Sequence, residues 1–193
     1  MTLQHSHTKQ LLDELACLGK HLNDNKISWG IGGSLLLLQN GIVQKANDID
    51  ILVSEEDGDR CKAIIDKIGK EEEAQKYAPF RTAYFYKYTI NNVEVDLMSG
   101  LALEHENGIY KFFLTPNSIV AYSQINGTEI PLCALEDWYI LYSLMPNKEE
   151  KEYLLRHYFQ THGISNKQLM IEANRQPLPL KVKDNVEQLL NSV

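Results

Sequence analysis

Apolar positions keep two rhythms along the chain, and each predicts its own element. Between residues 7 and 23, Leu11, Leu12, Leu15, Leu18 and Leu22 recur near a helical period, so an amphipathic helix is expected, broken by Asn23-Asp24-Asn25. Residues 27–31 form a short apolar strand that runs into Gly32-Gly33-Ser34. A leucine-rich helix starts near Ser34, whose hydroxyl is placed to cap it, and Asn40-Gly41 tolerates the left-handed turn that ends it. Residues 48–53 then alternate, with Asp48 and Asp50 on one face and Ile49, Ile51 and Val53 on the other. The acidic run Ser54-Glu55-Glu56-Asp57 opens a helix reaching about Ile68. Residues 69–79 carry charge without a period, and Pro79 marks a break.

Residues 81–90 are rich in Tyr, Phe and Thr, which predicts a strand, and Asn91-Asn92 has the chemistry of a tight hairpin turn. The return over 93–98 alternates Val93, Val95 and Leu97 against Glu94, Asp96 and Met98. A further strand is expected at 109–114, after a polar loop around Glu106-Asn107-Gly108, and a last hairpin where 119–124 and 129–132 flank Asn126-Gly127. From Ala134 the pattern turns helical, with segments opening at Leu135 and covering 148–161, 166–174 and 182–190. Strands first and helices last predict an α+β fold: a mixed β-sheet with helices packed on one side, then a small helical C-terminal part. The boundary falls between a core of residues 1–133 and an extension of residues 134–193.

Composition narrows the classes. A chain of 193 residues can bury a sizeable core, and 44% apolar with 23% charged residues is ordinary for a globular protein. A net charge of -7 argues against a broad nucleic-acid surface and leaves metal ions to neutralise any phosphate that is handled. Cys17, Cys61 and Cys133 are odd in number and lack CxxC or Cys/His spacing, so zinc is not expected. They read as buried thiols in a reducing compartment. The HxH pair His5 and His7 has no third ligand and reads as solvated. The polar start over 2–9 does not resemble a signal peptide, and the leucines at 35–38 are too few to span a bilayer. No membrane partner is expected, and the chain reads as cytoplasmic.

The chemistry concentrates between residues 27 and 53. Two glycines and a serine at a strand-to-helix turn suit a phosphate, because backbone N–H groups cradle its oxygens and glycine allows close approach. Asp48 and Asp50, two apart on a strand, offer hard oxygen ligands of the kind Mg²⁺ takes. Asp96 is the natural third carboxylate, since its strand aims it away from an apolar face. Two ions about 3.5–4 Å apart would stabilise both attacking and leaving oxygens of a transferred phosphoryl group.

The ordered set Gly32-Gly33-Ser34, Asp48-Ile49-Asp50 and Asp96 resembles the nucleotidyltransferase superfamily, the DNA polymerase β-like fold. Its members include the head domains of CCA-adding enzymes and the small antibiotic nucleotidyltransferases. The resemblance runs over residues 25–100 by motif and more loosely to 190 by element order. It implies that Asp48, Asp50 and Asp96 bind two Mg²⁺ ions, with Asp96 also the base for the acceptor hydroxyl. It implies that Gly32, Gly33 and Ser34 hold the β- and γ-phosphates of an NTP, ATP first among them. The activity implied is transfer of an NMP group to a hydroxyl of a small molecule, a tRNA or other RNA end, or a protein, with release of pyrophosphate. The Arg-Asp-Phe-type motif and base-reading arginines of CCA-adding enzymes do not follow Asp96, so the small antibiotic enzymes match better. The alternative is a catalytically inactive module that binds nucleotide or a partner on the same fold. Arg81 and Lys87 read as solvated strand-edge charges within possible reach of a triphosphate. Tyr84, Tyr86 and Tyr88 share a strand face and read as packing or a groove wall, and 138–144 as core.

Overall fold

The leucine period of the first helix is realised as α1, Leu3–Asp24, which buries Leu11, Leu15, Leu18 and Leu22. The computed structural model describes residues 3–74 and 78–192. After α1 come β1 (Trp29–Ile31), α2 (Gly33–Gln39), β2 (Ile49–Val53), a 3-10 turn at Glu55–Asp57, α3 (Gly58–Ile65) and β3 (Lys70–Glu72). The chain continues through β4 (Tyr84–Ile90), β5 (Val93–Ser99), β6 (Ala102–His105), β7 (Gly108–Lys111), β8 (Ile119–Ile125) and β9 (Thr128–Cys133). Four helices close it: α4 (Leu135–Leu144), α5 (Glu149–His162), α6 (Lys167–Asn174) and α7 (Leu180–Ser192). Contacts divide the chain into two units, one of Met1–Gln75, Thr82–Gly100 and Phe113–Cys133, the other of Lys76–Arg81, Leu101–Phe112 and Ala134–Val193.

The first unit is built on a mixed seven-stranded sheet in the order β3-β4-β5-β2-β1-β9-β8, with β2 parallel to β5 and β1 parallel to β9. Its register starts locally. Asn91 and Asn92 both take positive φ, 48° and 65°, as a two-residue hairpin turn requires, so Ile90 faces Val93 and every pair down β4 and β5 follows. Val93, Val95 and Leu97 are buried while Glu94 is exposed, the alternation of a sheet with one covered face. α1 packs on β9 and α3, and α3 on β5. From α3, Lys62 lies over the rings of Tyr86 and Tyr88, and the buried Tyr88 donates its hydroxyl to Asp66 at 2.7 Å. The tyrosine face of β4 is therefore packing. Residues of opposite parity on β4 and β5, Lys87 and Asp96 among them, emerge on the other face.

The second unit pairs the β6–β7 hairpin with the four C-terminal helices. Every residue of α4 from Leu135 to Tyr142 is buried, and Tyr139 meets Phe159 of α5 edge to face with centroids 5.9 Å apart. Leu155, Met170, Ala173, Val182, Val186 and Leu189 complete that core.

Several expectations are corrected. Ser34 does not cap α2: Gly32 occupies the cap without a side-chain bond, and Ser34 lies inside the helix. The stretch 69–79 contains β3, a charged edge strand whose own pattern is uninformative because β4 supplies its pairing. The strand sought at 109–114 is the shorter β7, and its partner β6 went unread because a four-residue strand leaves little alternation. Cys61 and Cys133 are buried, but Cys17 is exposed on α1. Burial, and then the charge of Asp57, pushes the Cys61 thiol up to about 12. His7 is exposed, and the side chain of His5 lies outside the described residues. No helix among the described residues is long and apolar enough to cross a membrane.

Candidate active site

The turn from β1 into α2 is pinned to β2 by its backbone: the Gly32 N–H donates to the Asp50 carbonyl at 3.0 Å. Gly33 then turns with φ +59°, a region that residues bearing a Cβ enter at a cost of roughly 1–2 kcal/mol. A Cβ on Gly33 would lie 1.6 Å from Oδ2 of Asp50, so the carboxylate occupies the space that a side chain would fill. Gly32, extended at φ -128°, carries no such constraint. One residue on, Ser34 donates its hydroxyl to Oδ1 of Asp48 at 3.3 Å. The glycine-serine turn and the Asp48-Ile49-Asp50 segment are thus one structure, held by a backbone bond, a side-chain bond and a close approach.

Asp96 joins it through the sheet. Parallel pairing of β2 with β5 sets Asp50 directly beside Asp96, on strands about 4.8 Å apart. Antiparallel pairing of β5 with β4 sets Lys87 on the far side of Asp96, and the Lys87 ammonium lies 3.4 Å from Asp96 Oδ1. Burial pushes the Asp96 carboxyl up to about 6; Lys87 opposes the rise, and the charges of Asp48 and Glu94 add to it. Burial pulls the Lys87 ammonium down, but Asp96, Glu94 and Asp48 outweigh it and leave the group raised.

All six residues singled out from sequence lie in the first unit and meet around β1, β2 and β5. Among the described residues no three His, Cys, Asp or Glu side chains are gathered tightly enough to enclose an ion. The donor set nevertheless fits a hard divalent cation. It offers hard carboxylate oxygens: Asp50 and Asp96 stand side by side on adjoining strands, and Asp48 lies two residues before Asp50. Lys87 is the residue that sequence reasoning undervalued. The signal was available, because a two-residue turn at Asn91-Asn92 already puts 87 opposite 96. Arg81 pairs with Glu104 inside the second unit. A cavity of about 660 Å³ lined by Trp29, Ser54, Phe113, Ile119, Tyr122 and Pro131 lies at the opposite ends of β1 and β2 and includes none of the six.

The sequence profile of the aminoglycoside-2''-adenylyltransferase family matches residues 14–161, a span that takes in the whole site. Among curated proteins none matches the chain. Among solved structures, a protein of Thermotoga maritima described as a nucleotidyltransferase is 22% identical and superposes with a TM-score of 0.60 over 79% of this chain and 94% of its own. ANT(2'')-Ia, solved in complex with adenylyl-2''-tobramycin, is 13% identical, with a TM-score of 0.54 over 93% of this chain and 97% of its own. At these identities the likeness is one of fold.

Proposed function

Because the chain belongs to the aminoglycoside-2''-adenylyltransferase family and is a nucleotidyltransferase, we propose that it transfers AMP from ATP to a hydroxyl of a small polyhydroxylated amine. The observation that carries this reading is the side-by-side placement of Asp50 and Asp96, with Gly33 against Asp50 and Ser34 bonded to Asp48. The family's name and the adenylylated tobramycin bound to ANT(2'')-Ia support the acceptor class. A net charge of -7 suits a cationic acceptor as well.

In this reading Asp48, Asp50 and Asp96 hold Mg²⁺. Bound there, the ions would neutralise charge on the phosphate oxygens. The backbone of Gly32, Gly33 and Ser34 receives the β- and γ-phosphates. Asp96 accepts the proton of the acceptor hydroxyl on a carboxylate oxygen. The hydroxyl oxygen forms a bond to the α-phosphorus, the bond from that phosphorus to the bridging oxygen breaks, and pyrophosphate leaves. Ser34 steadies Asp48 through its hydroxyl.

Incubation with α-labelled ATP, Mg²⁺ and a panel of aminoglycosides tests the reading, with labelled acceptor and pyrophosphate as the readout. Asp50→Asn is expected to lower transfer by about a thousandfold or more while leaving the unfolding midpoint within a few degrees. Transfer at the wild-type rate by that variant refutes the assignment. Nucleotide binding without transfer to any acceptor marks a binding module instead.

A further inference from the structure

Lys87 sits where a solvated strand-edge lysine would not. It is the lateral neighbour of Asp96, which is itself the lateral neighbour of Asp50, so β4, β5 and β2 present Lys87, Asp96 and Asp50 in one row on one face. Its ammonium is 3.4 Å from Asp96 Oδ1. The acidic residue across from it on β3, Glu72, pairs with Lys70 at 2.9 Å instead. The Lys87 side chain is 38% exposed and that of Asp96 17%, so the lysine approaches from the solvent side and its flexible stem can withdraw.

An ammonium on a ligand oxygen is a competitor of the ion that the ligand serves. A divalent cation about 2.1 Å from an Asp96 oxygen would stand within about 6 Å of the Lys87 charge. Even with the full screening of bulk water, that repulsion amounts to about a tenfold loss of affinity. The phosphates of a nucleotide change the balance, because they bring enough negative charge to accommodate dication and ammonium together.

We propose that Lys87 is a positioning residue, the resident counter-ion of Asp96, which makes divalent-cation loading of this site depend on the nucleotide's phosphates. The inference deepens the nucleotidyl-transfer reading and rests on its assignment of Asp48, Asp50 and Asp96 to the metal. Metal and nucleotide arrive as a unit, and the resting protein keeps its carboxylates compensated by its own lysine.

Mn²⁺ binding followed by electron paramagnetic resonance, with and without α,β-methylene-ATP, tests this independently of turnover. The wild type is expected to bind Mn²⁺ weakly alone and more tightly with the analogue. Lys87→Met binds Mn²⁺ alone about tenfold more tightly than the wild type and loses most of its dependence on the analogue. Lys87→Arg, which keeps the charge, stays close to the wild type. Should Lys87→Met fold poorly, Lys87→Gln repeats the measurement in a more polar form. Mn²⁺ affinity that is unchanged or weaker in the charge-removing variant overturns the proposal and leaves Lys87 as a mere prop. If Asp50→Asn leaves Mn²⁺ binding untouched, the ions bind elsewhere; the metal assignment then falls first and this inference with it, a result distinct from the preceding one.

Discussion

Replacing Gly33 by alanine puts a methyl group where the Asp50 carboxylate already is. The new Cβ would lie 1.6 Å from Oδ2 and 2.5 Å from Cγ, so the carboxylate has to move by roughly an ångström or more. Overpacking of that kind costs about 1–3 kcal/mol. The φ of +59° adds roughly 1–2 kcal/mol for any residue with a Cβ. Gly33→Ala is therefore expected to lose about 2–5 kcal/mol of stability and to displace Asp50 from Asp96. The two contributions separate in an Asp50→Ala background. There the nearest remaining atom is the Asp50 Cβ at 3.1 Å, and only the backbone cost should persist. Urea unfolding followed by the fluorescence of Trp29 reads this unit, with the other tryptophan, Trp138, replaced by Phe. An equal cost for Gly33→Ala with and without the Asp50 carboxylate refutes the steric argument. Full nucleotidyl transfer by the single variant refutes the functional one.

Two further predictions concern the rest of the chain. Asp137, buried on α4 with Oδ2 lacking a hydrogen-bond partner, has its carboxyl raised to about 7 by burial and then by Glu136 and Glu172. The folded state keeps this proton while the unfolded chain has lost it above about pH 4, so stability falls as pH rises from about 4 to 7, by at most on the order of 4 kcal/mol. Asp137→Asn removes that loss. Its advantage over the wild type in thermal melts grows from pH 4.5 to pH 8, and a constant difference contradicts the argument. Tyr88→Phe deletes the 2.7 Å donation to Asp66 and an acceptor for Lys62, but leaves the Lys62 pairs with Asp66 and Glu71. It should cost about 1–2 kcal/mol in urea, and a change within a few tenths shows that the hydroxyl contributes nothing net.

Short-range features were legible in the sequence because their causes are local. The leucine period wrote α1, and the asparagine pair at 91–92, tolerant of positive φ, fixed the β4–β5 hairpin. Asn126-Gly127 turned β8 into β9 in the same way, with φ of 49° and 78°. The six candidate residues could be singled out because a glycine turn followed by paired aspartates is an uncommon combination. Charged β3 and short β6 could not be read, since their pairing comes from neighbouring strands.

What the sequence determined by itself, then, was which residues are candidates for the chemistry and which turns close on themselves: backbone preference and side-chain period act over a few positions. The tertiary structure decided who stands beside whom. The parallel register of β2 on β5, joining segments 46 residues apart at Asp50 and Asp96, is set by the packing of a whole sheet. The same packing put Asp50 into the space above Gly33, and completed the row in which Lys87 meets Asp96 beside Asp50. Lateral contact between strands depends on distances in space that the order of residues along the chain does not contain.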